Sequence, residues 1–199
     1  MQILTVDVGT GTQDIYLYDS QLNIENGFKL IVPSPTLIVH RRLKEATQRG
    51  ESVLLTGVTM GGGPSHWAAR DHAKAGNPIY ATPEAAKTFD DNLENVAAQG
   101  IVVISEDEAK SLKGSITHLE LRDFDFEGIA RSFGQFGVGL DGLAAVAVAV
   151  FDHGAAPPNF SDRQFRFDYL DEHIQKPPVS FCFSCRGNST DHDTPASRG

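Results

Sequence analysis

Apolar residues alternate with polar ones from the first positions of the chain. Ile3, Leu4, Val6 and Val8 before a polar break, and Ile15, Tyr16, Leu17 and Tyr18 after it, predict strands near 2–7 and 13–19. The break is Gly9-Thr10-Gly11-Thr12, a small-residue turn that returns the second strand antiparallel to the first. A third strand is predicted near 28–32. Beyond Pro35-Thr36 the pattern becomes helical up to Gly50, with cationic residues late in the segment, where they suit a helix C-terminus. Ser52 to Met60 reads as a largely apolar strand, Gly61-Gly62-Gly63 as a turn, and Pro64 as the first position of a helix that stops at Gly76. A short strand is expected near Pro78 to Ala81. Thr82-Pro83 then opens a helix whose apolar positions Ala86, Phe89, Leu93 and Val96 recur every three or four residues, and Ile101 to Ile104 follows as a buried strand. The order βββαβαβα predicts an α/β fold with a mixed sheet, its parallel strands joined by helical crossovers.

The remainder is less regular. Thr117 to Leu121 reads as a strand, and Phe126, Ile129, Ala130 and Phe133 line one face of a helix. Leu143 to Phe151 is a continuous apolar run, as expected of a strand buried on both faces, and it delivers Asp152-His153-Gly154 at its end. Phe165, Phe167, Tyr169, Leu170 and Ile174 make one last element before Pro177-Pro178 breaks it. The expected organisation is a first half-domain over 1–115, the start of an incomplete second half over 116–176, and a polar tail over 177–199 that is expected to be disordered.

Composition narrows the function classes. A chain of 199 residues, 40% hydrophobic, can bury one good core or two small ones. A formal charge of −9 argues against a generic nucleic-acid partner, because backbone binding needs clustered Lys and Arg. Arg41, Arg42 and Lys44 form the sole basic cluster and read as a solvated helix face. The longest apolar run is far short of the roughly 20 residues a membrane span needs, and no secretory signal opens the chain, so a cytoplasmic location is expected. The two cysteines form a lone Cys182-x-x-Cys185; with His192 they give three zinc donors where a structural site needs four, and they read as incidental thiols.

The candidate chemistry lies in the first turn. Asp7 stands at its mouth and Gly9, Thr10, Gly11 and Thr12 at its tip. Successive amides in such a turn can cradle an oxyanion, the hydroxyls add donors, and a strand-end carboxylate suits Mg²⁺ or a Mg²⁺-bound water. A hairpin without a ligand uses the same residues, and that reading stays open. Asp152 and Gly154 echo the Asp-x-Gly pattern at the end of the second apolar strand. Gly61-Gly62-Gly63 before a helix reads equally as a second anion site or as a loop of unusual backbone. His66 and His72 are spaced too awkwardly on a helix to share a metal.

Asp7-Val8-Gly9-Thr10-Gly11-Thr12 resembles the first phosphate loop of the actin, sugar-kinase and heat-shock-chaperone ATPase superfamily. The resemblance implies a ribonuclease-H-like half-domain, with ATP and Mg²⁺ as ligands. Asp7 would hold hydrated Mg²⁺, Gly9, Thr10, Gly11, Thr12 and Gly154 would contact phosphate, and Asp152 would be a second catalytic acid. An active member would be an ATPase or phosphotransferase, and a protein partner would complete the second half. A non-catalytic interaction module on the same fold is the alternative. The hairpin, with Pro33 to Thr36, Gly61 to His66 and Asp152 to Gly154, also resembles a prokaryotic family of uncharacterised proteins that carry the label pyruvate formate-lyase activating enzyme. That resemblance implies a pyruvate formate-lyase activating role as a further alternative, against which stands the count of thiols: activating enzymes of that kind ligate an iron–sulfur cluster through three cysteines, and this chain has two.

Overall fold

The computed structural model describes residues 1–59, 62–150, 157 and 160–174. The chain divides into two units, Met1–Phe151 and Asp152–Gly199. The first unit is built on two four-stranded sheets. Sheet A has the order β3-β2-β1-β8, with β1 (Gln2–Val8), β2 (Thr12–Asp19), β3 (Phe28–Pro33) and β8 (Leu143–Ala149). Its first three strands form an antiparallel meander, and β8 runs parallel to β1 on the far side. Alternation in the sequence sends Leu4, Val6, Val8, Ile15 and Leu17 to one face, where they close over Ile129 and Phe133 of helix α6 (Phe126–Gln135).

Sheet B has the order β6-β5-β4-β7 and is parallel throughout: β4 (Ser52–Gly57), β5 (Ile79–Ala81), β6 (Val102–Val103) and β7 (Ile116–Leu121). Helices α1 (Pro35–Arg49), α2 (Gly63–Lys74), α3 (Pro83–Lys87), α4 (Leu93–Ala98) and α5 (Glu106–Ser111) supply the crossovers a parallel sheet requires. A second core forms here from Val39, Leu43, Val53, Leu55, Ile79, Val96, Ile101, Leu119 and Leu121. Among the described residues of the second unit is helix α7 (Asp162–Ile174), at whose start Phe160 and Phe165 meet edge to face at 6.4 Å. No described helix is long and apolar enough to cross a membrane.

The single mixed sheet expected from the element order is replaced by two. The strand beside β1 is β8, so β4, β5 and β6 build a sheet of their own. Pairing also crosses the expected 115/116 boundary, since β7 joins β4 and β8 joins β1. The residues expected to form a tail, 177–199, lie outside the described residues. The helix expected from Thr82 to Gly100 is two helices: the Asp90 carboxylate accepts from the Asn92 amide (2.8 Å), and the Asn92 side chain from the Glu94 amide (2.9 Å), so local side-chain bonds end one helix and start the next. Burial of β8 on both faces also needs correcting. Val146 and Val148 sit beside Leu4 and Val6 in register, yet are 43% and 38% exposed. Among the described residues, the Phe133 cluster gathers residues of β1, β2 and β3 and reaches β8 only at Leu143, so it does not cover Val146 and Val148.

His72 of α2 is fully buried, against the usual habit of titratable groups. Thr47 donates its hydroxyl proton to the Leu43 carbonyl (2.7 Å), so it accepts from His72 Nδ1 (2.8 Å) and leaves Nε2 as a buried lone pair with no hydrogen-bond partner among the described residues. Burial pushes the His72 pKa down, partly offset by the nearby backbone of Pro78 and Glu51. A lowered pKa means the stabilisation is complete above the unfolded-state value near 6.5 and is lost as pH falls below it. Urea midpoints are therefore expected to decline as pH falls below about 6.5, and His72→Gln should remove that slope. Equal slopes in the two proteins would place the acid sensitivity elsewhere.

Candidate functional site

The β1–β2 turn is shaped by where its carbonyls go. Gly9 N–H donates to the Thr12 carbonyl at 2.8 Å, and a Cβ on Gly9 would press on that same oxygen at 2.9 Å. Ser34, fully buried at the N-terminus of α1, takes two more: its hydroxyl donates to the Thr10 carbonyl (2.8 Å) and its amide to the Gly11 carbonyl (3.1 Å). The same hydroxyl accepts from Leu37 N–H at 3.4 Å and so caps the helix. Three of the four tip carbonyls, those of Thr10, Gly11 and Thr12, are thereby tied back into the turn and Ser34. No carbonyl of a described residue accepts from the Thr10 or Gly11 amide, and a Cβ on Gly11 would meet nothing within 4 Å, so that flank of the turn is open. The turn also abuts the N-terminal end of a 15-residue helix, whose dipole favours negative charge.

Asp7 is exposed at the end of β1, on the sheet face opposite α6. Its cross-strand partner is Asp14, and its neighbour on β8 is Ala149. Two carboxylates directly opposite on one face repel, which is unfavourable for the fold alone. Thr12 Oγ1 lies 3.5 Å from Asp14 Oδ2. Both acids line an open depression of about 630 Å³ with Thr5, Tyr16, Lys29 and Ala147. Lys29 stands 5.5 Å from the Tyr16 ring centre and, among the described residues, is the one cation lining that depression. As a donor set, two carboxylates fit Mg²⁺, which keeps most of its waters and takes one or two protein oxygens plus phosphate. Among the described residues no group of three His, Cys, Asp or Glu could hold a metal unaided.

The structure thus places Asp7, Gly9, Thr10, Gly11 and Thr12 together. Asp152 and Gly154, the other expected site residues, lie outside the described residues, as do Cys182 and Cys185. Three contributors were missed in the sequence: Asp14, Lys29 and Ser34. Asp14 was accessible by counting, because a turn closing Val8 on Gln13 puts residue 14 opposite residue 7. Lys29 and Ser34 depend on β3 joining the sheet, which no local pattern fixes. At the glycine run, Gly61 is not described, while a Cβ on Gly62 would collide with the Thr88 carbonyl, so close packing against α3 accounts for that glycine. His66 bonds Gln99 at 2.6 Å and stacks on Phe89, a structural role.

These features define an α/β protein whose first hairpin presents an acid-flanked turn with the Thr10 and Gly11 amides bonded to no carbonyl of a described residue. A family model described as putative pyruvate format-lyase activating enzyme (DUF1786) matches residues 60–191, about two thirds of the chain, and the chain belongs to that family. The match begins after the hairpin and extends through Cys182 and Cys185, well into the segment 177–199 that was expected to be a tail. Neither a curated protein nor a solved structure matches the chain.

Proposed function

We propose that the β1–β2 turn binds the phosphate of a Mg²⁺-nucleotide, in the manner of actin-like ATPases. The observation that carries this reading is the inward tethering of the Thr10, Gly11 and Thr12 carbonyls, which leaves the Thr10 and Gly11 amides free for an oxyanion. Asp7 would hold hydrated Mg²⁺, Asp14 would share that task, and the Thr10 and Thr12 hydroxyls would add donors. The meander β3-β2-β1 with a parallel strand beyond β1 supports a ribonuclease-H-like sheet A, into which the residues of sheet B are inserted. A cytoplasmic location goes with a nucleotide ligand. Any turnover would be ATPase or phosphotransfer chemistry, and it would be slow in this chain, because a turn that only neutralises and positions phosphate lacks the closure that excludes water.

Ligand-linked stability tests the proposal. At ten times Kd, Mg²⁺-ATP or Mg²⁺-pyrophosphate should add about 1.4 kcal/mol and raise Tm by about 3–6 °C. Unchanged melting at millimolar concentrations would reject it.

Among the described residues no strand pairs with the outer edge of β8, which favours a second reading, an interaction module on the same fold. Leu143 to Ala149 carries no charge, Pro or Gly, the usual protections of an edge strand. Val148→Lys is expected to abolish any concentration-dependent association seen by sedimentation; association unchanged by that substitution would place the contact elsewhere.

A further inference from the structure

The family description names an activity whose chemistry makes a definite demand on side chains, and the demand can be compared with those this chain supplies. Iron–sulfur clusters are held mainly by cysteine thiolates. A cluster that initiates radical chemistry also keeps one iron free of protein ligands so that a co-reactant can bind there, which leaves three thiolates for the protein to provide. The 199 residues contain two cysteines, Cys182 and Cys185. Both fall inside the family-matched segment 60–191, so the matched region brings no further thiol.

Two substitutes for the missing thiolate can be weighed on chemical grounds. Histidine replaces cysteine in some clusters, and His192 is seven residues beyond Cys185. Imidazole in place of thiolate removes negative charge from the cluster and raises its potential. That is the wrong direction for a centre that must deliver a strongly reducing electron. The other substitute is a second copy of the chain. Two Cys-x-x-Cys pairs supply four thiolates, which saturate four irons and leave none open.

We infer that these residues hold no iron–sulfur cluster with an open iron, and that the radical-initiating activity in the family description does not reside in them. The inference is independent of phosphate binding by the first hairpin, which involves neither cysteine.

The test is anaerobic reconstitution of the full chain with ferrous iron, sulfide and a thiol reductant. Iron and acid-labile sulfide are then counted per chain, and electron paramagnetic resonance spectra are recorded after dithionite reduction, with and without S-adenosylmethionine. The expected result is at least tenfold less than one cluster per chain. A cluster shared by two chains, with a spectrum that S-adenosylmethionine leaves unchanged, would also support the inference, because all its irons are thiolate-bound. About four irons per chain, with a signal that shifts on adding S-adenosylmethionine and disappears in Cys182→Ser, would overturn it.

Discussion

Replacing Phe133 by alanine is expected to cost about 3–5 kcal/mol, a large part of the total stability of a domain this size. Phe133 is 1% exposed and is the largest fully buried side chain among the described residues. Its ring fills the space between α6 and sheet A, beside Leu4, Val6 and Leu17, and meets Phe28 edge to face at 6.4 Å. Few neighbours can collapse into the vacated volume, because the four flanking strand positions are fixed by hydrogen-bonded register. A drop in Tm on the order of 10 °C follows for a chain of this length. A loss under 1 kcal/mol in urea unfolding would show that α6 contributes little to the fold.

Gly57→Ala should damage the other sheet through the backbone. Gly57 ends β4 at φ +70°, a left-handed conformation that costs an L-residue about 1–2 kcal/mol. A Cβ at that position would collide with the Leu121 carbonyl, the acceptor of the Val58 amide at 2.9 Å. Relieving the collision moves β7 away from β4 and weakens that hydrogen bond. The combined expectation is about 2–4 kcal/mol, read from urea unfolding. A neutral substitution would mean that β7 is free to shift at its carboxyl end.

Most elements were legible in the sequence because their signals are local. The strands predicted near 2–7 and 13–19 follow from alternation and a small-residue turn, and α1 from Pro35-Thr36 at its start and Gly50, at φ +65°, at its end. What was not legible is which strand pairs with which. Leu143 to Ala149 has the composition of a central strand, but its partner across β1 is set by tertiary packing, and the sequence offers no sign that it lies at an edge. The same limit explains the two sheets: β4 and β8 are both apolar strands following helices, and each could satisfy the open side of β1. At the site, Asp7 and the turn were readable as a motif. Ser34, which turns the carbonyls inward, was readable only as a helix cap.

The acid pair also has an energetic signature. Asp7 and Asp14 repel across the hairpin, so Asp7→Asn should leave the ligand-free fold intact or more stable by about 0.2–1 kcal/mol, while weakening Mg²⁺-dependent binding. A gain in stability with a loss of binding is the pattern expected of a position held for a ligand.

Amide resonances give the most direct reading of the phosphate-binding proposal. Titrating the labelled chain with Mg²⁺-pyrophosphate should move the Thr10 and Gly11 amide signals first and furthest, with Asp7→Asn suppressing the change. Shifts absent from these two amides, or equal in the parent and in Asp7→Asn, would contradict phosphate binding at the turn.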